Sequence, residues 1–255
     1  MSRSVRARMA AMAGVVAVVV AGVTGCASAG EDKEPEHRSF DLPGNTLTID
    51  SDDSALEIVS SDDQKDGRID VTRWFEGSVM VGKDPKVTWS MDDDRLKLRL
   101  QCSGVVADCA AKHRIVVPRG VAVQVKDGDG SVRASGFKDA LDIRTGDGSV
   151  RVTDTTGPLK LHTGDGSVRA KVDSRDVDAR TSDGSIHLEL GVVPDRVDSH
   201  TGDGSVTISL PRATYKVSTE TGDGGVDVSV PHSDSSDHLV SARTGDGKVT
   251  VRTAN

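Results

Sequence analysis

Seven aspartates recur in one setting and are the first candidates for chemistry. Asp129, Asp147, Asp165, Asp183, Asp203, Asp223 and Asp246 each sit at the centre of a Thr-Gly-Asp-Gly-Ser-Val hexapeptide or a close variant of it. Three copies are unvaried: Thr145–Val150, Thr163–Val168 and Thr201–Val206. Carboxylates and backbone carbonyls in a glycine-rich turn suit a hard cation, so Asp147, Asp165 and Asp203 are calcium candidates. Arginines stand beside the corners at Arg144, Arg151, Arg169, Arg180 and Arg243. Clustered Asp and Arg on a β scaffold could also cut an acidic polysaccharide. Here both residue types recur with the scaffold itself, which is what a structural role predicts. On that reading Asp makes an Asx turn, and its flanking glycines permit positive φ.

Other chemistry finds little support. His162, Arg180 and His200 occupy equivalent positions in successive repeats, as outward polar alternation would place them. The Gly-Asp-Gly corners lie between strands and lack a Lys-Ser/Thr ending, so they do not read as phosphate loops. No Gly-x-Ser-x-Gly or His-Glu-x-x-His motif occurs, and no catalytic residue is assigned. The repeat is not the calcium-binding RTX nonapeptide, and each corner offers one Asp instead of a full ligand set. No cofactor is expected, with calcium as the alternative.

The spacing of the corners defines the elements that carry them. Successive aspartates are 18, 18, 18, 20, 20 and 23 residues apart. A period in this range marks a repeat architecture. Apolar residues alternate before each corner, as in Leu141 and Ile143 or Leu159 and Leu161. They alternate again after it, as in Val150 and Val152 or Val206, Ile208 and Leu210. A period of two means strands with one buried face. One strand–corner–strand unit cannot bury that face alone, so the copies must stack with parallel pairing into aliphatic ladders. The expectation is an all-β parallel solenoid of 18–23-residue rungs stacked in chain order. The extra residues fall in Gly191–Arg196, Pro211–Tyr215 and Pro231–His238. One edge is therefore register-locked and the other carries variable loops.

Residues 39–120 read as an irregular N-terminal cap with degenerate rungs, and residues 121–255 as the regular repeats. Both tryptophans, Trp74 and Trp89, fall in the cap and suit closure of the core's end. The final strand, around Lys248–Arg252, has no visible cap and is expected to leave an open edge. Cys102 and Cys109 suit a disulfide in an exported chain.

Residues 1–25 give the address. A basic region (Arg3, Arg6, Arg8) precedes an apolar run from Met9 to Val23, as in a secretory signal. Val23-Thr24-Gly25-Cys26 resembles the bacterial lipobox, which implies cleavage before Cys26 and a diacylglycerol on its thiol. Residues 26–38, small and charged, read as a flexible tether. The full chain has a formal net charge of −8; residues 1–25 hold three arginines and no acid, so the chain from Cys26 stands at −11. That argues against nucleic acid and against electrostatic docking on anionic lipid.

Ile115-Val116-Val117-Pro118-Arg119-Gly120-Val121 followed by the tandem corners resembles the bacterial "putative adhesin" family of β-strand-repeat proteins, a domain of unknown function. The resemblance covers most of residues 40–252. It implies an envelope-associated parallel β-solenoid and carries no catalytic residues. The expectation is a non-enzymatic lipoprotein on the outer face of the bacterial cell membrane, binding or spacing an envelope glycan or protein. The alternatives are a carbohydrate-active enzyme and a calcium-stabilised module.

Overall fold

The structure, a computed structural model, describes residues 34–65 and 67–254. Among them the regular elements are all strands, and they form two sheets facing each other across one core. The regular rungs begin at β8 (Ala122–Asp127) and β9 (Val132–Ser135). They continue with β10 (Leu141–Thr145) and β11 (Val150–Thr153), then β12 (Leu159–Thr163) and β13 (Val168–Val172). Next come β14 (Asp176–Thr181) and β15 (Ile186–Leu190), followed by β16 (Arg196–Thr201) and β17 (Val206–Leu210). Even-numbered strands of this set enter one sheet, here the B sheet, and odd-numbered strands the A sheet. Each rung therefore has two strands, and like strands of neighbouring rungs pair in parallel, Leu141 beside Leu159 and Val150 beside Val168.

The period-two pattern explains the core. Leu141, Leu159, Val177 and Val197 form one buried column of the B sheet; Val150, Val168, Ile186 and Val206 face it from the A sheet. These side chains are aliphatic and mostly β-branched, which favours the pleated conformation that stacks them. The three long connections lie together at the edge opposite the corners, as their variable length leads one to expect.

The last two rungs depart from chain order. After β17 come β18 (Lys216–Thr221) and β19 (Val226–Val228), then β20 (Leu239–Thr244) and β21 (Val249–Thr253). In space β20 pairs with both β16 and β18, and β21 with both β17 and β19. The C-terminal rung thus fills an interior slot, and the open edge expected at Lys248–Arg252 is instead β18 and β19. Val226 and Val228, at inward positions of that edge, are exposed. Two of these connections, Pro211–Tyr215 and Pro231–His238, brace this end. Tyr215 is fully buried, its hydroxyl donates to the Pro211 carbonyl at 2.8 Å, and its ring meets His238 edge-on.

The N-terminal part mixes both pairing modes. β1 (Glu36–Asp41), β2 (Thr46–Ser51), β3 (Ala55–Ser61) and β4 (Arg68–Gly82) are followed by β5 (Lys86–Asp92), β6 (Arg95–Gln101) and β7 (Gly104–Pro118). β2 and β3 make a rung parallel to β8 and β9, with Ser51–Ser54 as its polar corner, and β6 and β7 stack on that rung in parallel. The outermost strands β1, β4 and β5 pair antiparallel. Trp89 packs against the core end, edge-on to Phe40 and beneath the Arg73 guanidinium. Trp74 does not join that core; it lies half-buried under Lys112 Nζ. From there β4 and β7 continue as a two-stranded ribbon past the corner edge, with Met80, Val81 and Val105 exposed near its tip. Among the described residues no helix is long and apolar enough to cross a membrane.

Candidate functional site

The corners come first because the sequence singles them out. In-register pairing lines up Asp129, Asp147, Asp165, Asp183 and Asp203 along one edge, followed by Asp246 and then Asp223. All seven carboxylates are exposed. Among the described residues no hydrogen bond reaches the side chains of these seven, so the Asx turn expected of them is not what holds the corner. The hydrogen bonds come from the threonine two residues earlier. Thr163 Oγ1 lies 2.8 Å from the Gly148 carbonyl and 3.1 Å from that of Gly146, both in the preceding rung. Thr145, Thr181, Thr201, Thr221 and Thr244 repeat the arrangement. The glycines also serve differently from expectation. Their φ is not positive at any corner; among the described glycines that sign is confined to Gly67, Gly82, Gly120 and Gly136. A methyl on Gly148 would overlap the carbonyl oxygen of Gly130, and one on Gly166 that of Gly148. Close approach between rungs, not backbone conformation, excludes a side chain there.

One corner breaks the threonine pattern. Asp127 occupies the position of Thr145, and its Oδ2 stands where the threonine hydroxyl stands in other rungs. Burial pushes its carboxyl up to about 7; the nearby Ser51 hydroxyl pulls the other way, while Asp53, Asp129 and Asp52 add to the rise. Neither of its oxygens makes a well-formed hydrogen bond.

Cations on the two outer faces differ in their surroundings. On the B sheet, Arg144 pairs with Asp142 at 2.9 Å, Arg180 with Asp178 at 2.9 Å, and Arg243 with Glu220 at 3.5 Å. His162 and His200 lie in the same column, outward and exposed. On the A sheet, Arg133, Arg151 and Arg169 stand side by side on β9, β11 and β13, in register and exposed. Among the described residues none of the three has a carboxylate within ion-pair distance. Ser131, Ser149 and Ser167 run parallel to them two residues earlier, and together the six residues line a depression of about 260 Å³. His187 extends the row by one rung. Beside it Lys171 and Glu189 pair at 2.8 Å. The arrangement is a straight cationic track across rigid strands, suited to holding negative charge.

The other expected sites divide. Cys102 and Cys109 form a disulfide at the base of the ribbon, with Cα atoms 6.1 Å apart. Cys26, with the signal and most of the tether, lies outside the described residues. Among the described residues no three His, Cys, Asp or Glu side chains gather in a way that could hold a metal ion; Asp147, Asp165 and Asp203 each stand singly in their rungs. The free arginine row escaped the sequence reading. Its signal was the residue two positions earlier: serine before Arg133, Arg151 and Arg169, aspartate before Arg144 and Arg180.

A family profile described as Toastrack DUF4097 matches residues 32–255. The chain belongs to that family. Crystal structures described as putative adhesins align with the chain. One from Parabacteroides distasonis aligns with a TM-score of 0.50 at 14% identity, over 87% of this chain and 98% of that one. A second, from Parabacteroides merdae, gives 0.45 at 14% identity over 88% and 97%. A third, from Bacteroides fragilis, gives 0.44 at 13% identity over 88% and 98%. No curated protein matches the chain. The family assignment agrees with the resemblance drawn from Ile115–Val121 and the tandem corners.

Proposed function

We propose that this Toastrack chain is a non-enzymatic binding module of the bacterial cell envelope, exported and held at the outer face of the membrane by a diacylglycerol on Cys26. The binding face is the outer surface of the A sheet. One observation supports this above the rest: Arg133, Arg151 and Arg169 stay unpaired side by side on a rigid sheet, while the outward arginines of the B sheet, Arg144, Arg180 and Arg243, are each paired with a carboxylate. An acidic chain that left three adjacent guanidinium groups uncompensated for no ligand would carry needless like-charge repulsion, of about 1 kcal/mol per pair at strand spacing in water. The module needs no cofactor, and the corner aspartates are scaffold.

The test is site-directed photo-crosslinking in living cells. A photoreactive residue at Thr153, beside the row, should capture an envelope component, and one at Lys160, on the B sheet, should not. Capture from neither position would reject the binding reading. The anchor is checked separately: Cys26→Ser should move the protein from the membrane fraction to the medium, and retention of the variant in the membrane would reject the lipid. Release of sugar products from acidic polysaccharides, abolished by Asp165→Ala or Arg169→Ala, would replace the binding module with an enzyme.

A further inference from the structure

We infer that the track of Arg133, Arg151 and Arg169, flanked by Ser131, Ser149 and Ser167, holds a linear anionic envelope polymer with a carboxylate or phosphate on each repeat. This rests on the reading that the outer face of the A sheet binds. The geometry sets the chemistry. Adjacent strands are about 4.8 Å apart, so the guanidinium groups form a row about 10 Å long from first to last, perpendicular to the strands. A single small anion would meet one or two of them; an extended chain running along the solenoid axis would meet all three. Guanidinium offers paired donors that match carboxylate and phosphate oxygens. The serine hydroxyls, on the same face in the same rungs, can donate to ring or bridging oxygens.

The track also has borders. On one side the column of exposed corner aspartates, Asp129, Asp147 and Asp165, repels a polyanion that strays toward the corner edge. At the ends of the row, Glu57 is engaged by Lys112 and Arg114, and Glu189 by Lys171, so neither is free to neutralise the arginines. The overall acidity of the chain keeps off polyanions that cannot align with the row. A duplex nucleic acid, broad and stiff, would meet the column of corner aspartates beside the row.

The experiment is binding by the full chain in detergent to polygalacturonate and to inorganic polyphosphate. Monomeric galacturonate, inorganic phosphate, neutral dextran and duplex DNA serve as comparisons. One or both acidic polymers should bind with an affinity that falls as salt rises, and at least tenfold more tightly than their monomers; which one binds tells carboxylate from phosphate. Each exposed ion pair is worth up to about fivefold, so R133Q/R151Q/R169Q should weaken binding on the order of a hundredfold. Arg144→Gln with Arg180→Gln, on the compensated face, should change it less than about twofold. Equal losses from the two sets, no preference over monomers, or DNA bound as tightly as the polymers would overturn the assignment. If Thr153 crosslinks an envelope protein equally in the wild type and the A-sheet triple variant, the polymer assignment fails while the binding module stands.

Discussion

Asp127 gives the sharpest test of how the rungs are held together. In six other corners a threonine hydroxyl donates to carbonyls of the neighbouring rung. At Asp127 a buried carboxyl without a hydrogen-bond partner takes that position, and a carboxyl group can donate only when protonated. Its pKa rises accordingly, from 3.8 to about 7, with burial as the largest cause. Because the folded-state value lies above the unfolded one, the favourable contribution is complete below about pH 4 and is lost as pH rises through about 7. That interval corresponds to about 4 kcal/mol at full ionisation, and the residue's remaining contact with water lowers the expected loss to about 2 kcal/mol. Asp127→Thr should abolish this loss and restore the donor. Thermal melts between pH 5 and 8.5 should show the wild-type midpoint falling relative to the variant by about 4–8 °C. His113 titrates in the opposite sense: burial, then the Arg73 charge, lowers it to about 4, so its protonation destabilises the fold as pH falls from about 6.5 toward 4. That effect belongs to both proteins and cancels in the difference. Parallel midpoint curves for wild type and Asp127→Thr would refute the account of the threonine ladder.

Three further outcomes follow from the packing. Gly166→Ala should destabilise by about 2 kcal/mol or more, because its methyl would overlap the Gly148 carbonyl; Gly225→Ala, with open space around its added methyl, should change the midpoint little. Ser199 is fully buried with an unpartnered hydroxyl, in the column that holds Ala179 and Ala242, so Ser199→Ala should stabilise by about 1 kcal/mol in denaturant unfolding. Calcium and chelator should give the same melting midpoint; a rise with calcium would return Asp147, Asp165 and Asp203 to consideration as ligands.

Much of the scaffold was legible because its signal is geometric. Leu141, Ile143 and Thr145 sit at alternate positions, and that alternation alone puts Leu141 and Ile143 inward. It also puts Thr145 inward, so a polar side chain is buried and needs a partner. The repeated Asp draws attention as the charged residue, yet it falls on the outward turn, where water satisfies it. The role of the corner glycines could not be separated by inspection. A glycine needed for positive φ and one needed for close approach look identical until the neighbouring rung is in place. The proposed binding face was half legible. The outward cations follow from the alternation, but whether Arg151 is paired depends on the next residue along its face, and serine stands where Arg144 has aspartate.

The order of the last rungs was not legible, and the reason is energetic. Stacking in chain order is the default for a solenoid because each rung contacts its predecessor as it forms. Here two rungs compete for one interior slot beside β16 and β17. The rung of β20 and β21 points Val240, Ala242, Val249 and Val251 inward, and all four are buried. The rung of β18 and β19 points Val217, Thr219, Val226 and Val228 inward, so placing it inside would bury the Thr219 hydroxyl against two apolar sheets. At the edge Thr219 keeps contact with water, while Val226 and Val228 lose part of their burial. The side chains give one reason for this choice. Burying an unpaired hydroxyl costs about 1–3 kcal/mol, comparable with what two partly exposed valines forfeit. The connection Pro231–His238 then tips the balance. It is long enough to carry the chain back over the outer rung, and Tyr215 gives it a buried anchor through the Tyr215–Pro231 and Ser233–Tyr215 backbone bonds. The same reasoning explains why the edge strand carries Lys216, Glu220 and Asp227: charges on an exposed strand discourage pairing with another chain.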